Sequence, residues 1–81
     1  MTPTHLEIEQ ERKQIRRLQF MMSMVMSVIS QDEHMPPEEA SELIASARQA
    51  AFRMFPGKEL AYDLIYRPRF QRLMHEKYRL Q

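Results

Sequence analysis

The chain has 81 residues, and its 12 basic and 11 acidic side chains leave a formal net charge of +1. This balance lacks the basic surplus typical of nucleic-acid binders and the charge excess of an acidic or basic tail. Zero cysteines exclude disulfides and thiolate metal sites, and a single glycine leaves a sheet protein without its usual turn residues. The composition therefore predicts one all-α domain, residues 1–81.

A domain this short buries only a thin core, and natural domains of similar size often depend on a disulfide, a metal or a partner chain. Without cysteine, a partner chain is the common remaining device, so size alone favours a homodimer. The longest apolar stretch, residues 20–29, is about half the length of a membrane span, and residues 1–14 lack the apolar region of a secretory signal. A cytoplasmic protein without membrane contact is expected.

Sequence signals predict where the first helix begins. Pro3 stops any earlier helix, and Thr4 and Glu7 have the spacing of a capping box, in which each side chain bonds the backbone N–H of the other residue. No breaker follows until about residue 31. The pattern predicts a helix over 4–31, about 40 Å long at 1.5 Å per residue.

Apolar residues recur along this helix at the a and d positions of a heptad repeat, although Glu11 weakens the first d position. Such a seam is typical of paired helices. The predicted dimer-interface residues are Ile8, Ile15, Leu18, Met22, Val25 and Ile29.

The second half of this helix is apolar around most of its circumference, through Phe20, Met21, Met24, Met26 and Val28. A helix that is apolar all round is buried all round. The next helix is shorter, so part of the first must be covered by the C-terminal segments, by another chain or by nothing. The methionines favour a core or homodimer interface over a groove for a heterologous helix.

Proline and glycine divide the rest of the chain. Pro36-Pro37 predicts a helix start at residue 37, and Pro56-Gly57 predicts a turn after residue 55. Two further segments are expected over 58–66 and 68–80, with Pro68 between them. They form either separate helices or one kinked rod, so the fold is a small bundle of three to four helices.

The C-terminal third is rich in residue types that dominate binding hot spots. Asp63 lies within this stretch and is expected to pair with Arg67 at i+4. The alternative is that the tyrosines pack on the bundle and the arginines stay in water. The predicted partner-binding residues are Tyr62, Tyr66, Arg67, Arg69 and Arg72.

Groups that could perform catalysis are scattered. His5, His34 and His75 fall in three different elements, and no histidine or aspartate is placed to activate Ser23 or Ser27. No catalytic, metal or cofactor site is predicted. The leading hypothesis is a non-enzymatic, homodimeric helical protein–protein interaction module with an unidentified protein partner. Basic clusters over 12–17 and 67–79 leave a small nucleic-acid-binding regulator as the alternative.

Overall fold

A computed structural model describes residues 4–79, which form three α-helices and no strand. Helix α1 spans His5–Gln31, helix α2 spans Pro37–Met54 and helix α3 spans Glu59–Tyr78. The predictions of an all-α chain and of three to four helices are confirmed. None of these three helices has the length and apolar character that crossing a membrane requires. The predictions for Pro3 and residue 80 lie outside the described residues.

Local hydrogen bonds fix both ends of α1. The Thr4 hydroxyl accepts from the Glu7 N–H at 3.2 Å, and the Glu7 carboxylate accepts from the Thr4 N–H at 3.1 Å, so the predicted capping box is present. At the other end the Asp32 N–H donates to the Val28 carbonyl, and the Asp32 carboxylate accepts from the His34 N–H. These bonds satisfy backbone groups that a helix end leaves without partners.

Prolines set the limits of α2 as the sequence predicted. Pro36 is extended and Pro37 occupies the first turn, where its missing N–H costs no helical bond. The helix ends at Met54, with Phe55 as its cap. Gly57 has a φ of +82°, a conformation that disfavours any side chain, and it turns the chain into α3.

Helix α3 continues through Pro68 without interruption, so the two expected C-terminal segments are one helix. A proline in a helix interior removes one backbone bond and clashes with the preceding turn. Tertiary packing offsets this cost, because Tyr66 and Phe70, on either side of Pro68, are both buried in the core.

The core lies where the three helices meet, and α2 contributes its smallest side chains, which are Ala40, Ala47 and Ala51. Alanine at these positions lets the helix backbones approach closely, while the larger core side chains come mainly from α1 and α3. The buried residues are Met22, Ile29, Met35, Ala40, Ala47, Ala51, Tyr62, Tyr66 and Phe70.

The last turn of α3 is fastened to the α1–α2 connection. The Lys77 ammonium donates to the backbone carbonyls of Ile29 and Asp32, and the Tyr78 hydroxyl donates to the Met35 carbonyl at 2.8 Å. Lys77 thus places a positive charge at the negative end of the α1 dipole. We call these three bonds the α3 clamp.

The molecule is elongated, with principal extents of 47 × 20 × 17 Å and a radius of gyration of 14.7 Å. A compact chain of this length would have a radius near 12 Å. Residues 4–17 are all exposed, whereas the buried residues of α1, Met22 and Ile29, belong to its second half. The first half of α1 therefore extends beyond the core as a largely uncovered helix.

Candidate interaction surface

The structure divides the predicted dimer seam into two parts. Met22 and Ile29 are 1% and 0% exposed, and both belong to the core of the single chain. Their place in the core explains these two heptad positions within a single chain, and their assignment to a dimer interface stays a prediction. A heptad pattern records which helix face is buried, and here α2 and α3 cover its second half.

The first half of the seam remains uncovered. Ile8 and Ile15 are 37% and 42% exposed, which is high for large aliphatic side chains that occupy regular seam positions. Leu18 and Val25 are partly buried and pack against the core cluster. An apolar strip thus runs from the core boundary at Leu18 towards the start of α1.

This strip borders a groove of about 520 Å³ between α1, the end of α2 and the first half of α3. Pockets of this size, apolar with a few polar groups, are typical of binding sites. Its floor includes Met22 and Tyr62, and Glu11, Lys58 and Arg69 are the charged residues lining it. The apolar residues around the groove include Ile15, Leu18, Met26, Phe52, Phe55 and Ile65.

Tyr62 and Tyr66 are buried in the core and also line the groove, so their role as partner contacts stays a prediction. Their ring centroids lie 5.2 Å apart, and Phe52 packs edge-on against Tyr62 at 5.6 Å. The Tyr62 hydroxyl donates to the Met22 sulfur at 3.4 Å, and burial raises the pKa of this hydroxyl. Their spacing with Phe70 (i, i+4, i+8) is the signal that could have identified them as core residues.

Arg67, Arg69 and Arg72 are exposed, as the alternative interpretation expected, but they do not form one surface. Successive helical residues differ by about 100° around the axis, so Arg67 lies on a different face of α3 from Arg69 and Arg72, which are about 60° apart. Only Arg69 lines the groove, where its guanidinium lies 5.7 Å from the centre of the Tyr66 ring. The groove thus brings together three of the five predicted partner-binding residues, Tyr62, Tyr66 and Arg69, and leaves Arg67 and Arg72 outside it.

Asp63 pairs with Arg48 of α2 rather than with Arg67. The Arg48 guanidinium donates to both carboxylate oxygens of Asp63, at 2.9 and 2.8 Å. This bidentate hydrogen bond lowers the pKa of Asp63, and the positive charge of Arg67 lowers it to a smaller extent. The bridge ties α2 to α3 on the side away from the groove.

The bridge predicts a specific pH dependence of stability. Because folding lowers the pKa of Asp63, the bridge stabilises the fold above the unfolded pKa of about 3.9, and the gain is lost as pH falls through the folded pKa. The Asp63→Asn variant should melt at a lower temperature than wild type at pH 7. The difference in melting temperature between the two proteins, followed by circular dichroism, should narrow at pH 3 and below. A pH-independent difference would contradict the assignment.

The structure places His5 beside Glu9 at 3.0 Å on the exposed surface of α1, and Ser23 and Ser27 are exposed on the same helix. Within residues 4–79, no three histidine or acidic side chains come close enough to hold a metal ion.

Comparison with protein-family models, with curated proteins and with solved structures found no match. Two exposed apolar surfaces of the described chain are candidates for function. One is the groove with the Ile8–Ile15 strip, and the other is the outer face of α1, where Phe20, Met24 and Val28 are exposed.

Proposed function

We propose that this chain is a non-enzymatic helical interaction module of the cytoplasm that self-associates through the first half of α1. The observation that carries the proposal is the exposed pair Ile8 and Ile15, which continues the apolar face of α1 past the end of the core. Apolar side chains repeated on one face of an uncovered helix are stabilised by burial against a partner.

The size of the chain supports the same conclusion. Among residues 4–79, nine buried side chains form the core and three of them are alanine, which provides limited stability for a domain of this size. Pairing of two copies would bury further apolar surface at about 25 cal/mol per Å². Self-association would therefore stabilise the chain in addition to serving binding.

Light scattering coupled to size-exclusion chromatography tests the proposal. At a protein concentration of tens of micromolar, the wild type should have a measured molar mass twice the 9.8 kDa mass of one chain. The double variant Ile8→Asp/Ile15→Asp should elute as a folded monomer, because it places charges at the proposed interface. Met22 is unsuitable for this purpose, since its replacement would disrupt the core.

Leu6→Asp/Phe20→Asp is the matched control. It makes the same chemical change at two exposed positions on the opposite face of α1, and it should leave the dimer intact. A monomeric wild type, or equal loss of the dimer in both double variants, would refute the proposal.

The alternative, a nucleic-acid-binding regulator, has less support from the geometry, because Arg67 lies on a different face of α3 from Arg69 and Arg72. Retention on heparin that falls steeply with salt would favour it over the interaction module.

A further inference from the structure

We infer that the groove binds the first half of α1 from a second copy of this chain, running antiparallel to the α1 that lines the groove. This inference depends on the proposed self-association and adds to it the site, the occupant and the direction of the occupant. The position of the strip, the shape of the groove and the order of charges along α1 support it.

The position of the strip makes the contact self-consistent. Ile15 lies on the α1 wall of the groove and is also a member of the exposed pair with Ile8. In a twofold contact the same surface serves both protomers, so each α1 is at once the wall of one groove and the occupant of the other. A groove remote from Ile8 and Ile15 could not satisfy this requirement.

The shape of the groove suits a helix. Its walls are two helices, α1 and α3, with Ile65 and Leu18 among its apolar residues. An amphipathic helix that lays its apolar face between two others is a recurring mode of recognition. With its partner in place, α1 and α3 from both copies would form a four-helix layer, and Ile8 and Ile15 would be covered.

The order of charges along α1 sets the direction. Glu7, Glu9 and Glu11 are followed by Arg12, Lys13, Arg16 and Arg17. Parallel pairing of two copies would place acidic beside acidic and basic beside basic residues. Antiparallel pairing places each acidic stretch beside the basic stretch of the other copy, and it also opposes the two helix dipoles favourably.

The charges at the groove agree with this direction. Helices α1 and α3 run the same way, since Lys77 near the end of α3 bonds Ile29 near the end of α1. Glu11 and Lys58 therefore lie towards one end of the groove and Arg69 towards the other. An antiparallel occupant brings its glutamates towards Arg69 and its basic residues towards Glu11.

Distances between spin labels test the direction. The chain has no cysteine, so Gln10→Cys and Ser30→Cys each provide one labelling site, and both positions are exposed. If the helices cross near Lys13, the Ser30 labels should lie about 50 Å apart and the Gln10 labels less than about 25 Å apart. Parallel pairing would give short distances at both sites and would overturn the inference.

Two variants of α3 test the groove. Ile65 lines it, whereas the neighbouring Leu64 is exposed outside it. Ile65→Glu should weaken dimerisation at least about tenfold, and Leu64→Glu should leave it unchanged. Should Ile65→Glu fail to fold, the label distances still decide the direction.

The outcomes separate the two proposals. A monomeric wild type defeats the self-association on which the inference depends. A dimer that tolerates Ile65→Glu, or whose labels show parallel helices, defeats the inference and leaves the proposed function standing.

Discussion

Replacing Ile29 by alanine should lower the free energy of unfolding by about 2–5 kcal/mol, the range measured when a buried aliphatic side chain is truncated. Ile29 is 0% exposed and belongs to the core cluster to which all three helices contribute. A domain of this length is typically stable by only about 4–12 kcal/mol, so the loss is a substantial share of the total free energy of unfolding. Urea denaturation followed by circular dichroism measures this difference in the free energy of unfolding. Variant and wild type are compared at the same protein concentration, because association shifts the apparent stability.

The neighbouring residue provides the control. Val28 is 48% exposed, and its replacement by alanine should change the free energy of unfolding by no more than about 0.5 kcal/mol. Equal losses in Ile29→Ala and Val28→Ala would contradict the placement of Ile29 in the core.

Replacing Pro68 by alanine should have the opposite sign and raise the free energy of unfolding by about 1–3 kcal/mol. Pro68 is exposed inside α3, where it lacks the N–H that would bond the carbonyl four residues earlier. Alanine restores this bond and has the highest helix propensity of any residue. The midpoint of thermal unfolding should rise accordingly.

Gln71→Ala is the comparison for this change, since Gln71 is exposed on the same helix and keeps its N–H. It should alter stability by less than about 0.5 kcal/mol. Destabilisation by Pro68→Ala would instead show that the packing of Tyr66 and Phe70 requires the backbone geometry that proline imposes.

Local chemistry made the helix boundaries predictable. The Thr4–Glu7 capping box and Pro36-Pro37 act within one turn of chain, so their effects follow from neighbouring residues alone. The continuity of α3 was not predictable in this way. It depends on the packing of Tyr66 and Phe70 in a core shared with α1 and α2. The residues next to Pro68 in the sequence do not reveal this tertiary packing.

The candidate site was less predictable, because the same patterns serve burial within a chain and between chains. Met22 and Ile15 hold equivalent heptad positions, yet one is covered by its own chain and the other is exposed. Asp63 likewise had a suitable partner at i+4, but the three-dimensional fold places Arg48 closer. Only the three-dimensional packing distinguishes such alternatives.

The α3 clamp has a consequence for the order in which the fold can form. Lys77 and Ile29 are 48 residues apart in sequence. The Lys77 ammonium can bond the last carbonyl groups of α1 only when the last turn of α3 is present. During synthesis, α1 and α2 would therefore leave the ribosome as a pair of helices with an open apolar face. At roughly 5–20 residues per second, that face stays uncovered for seconds, a period in which chaperones or another nascent copy could reach it.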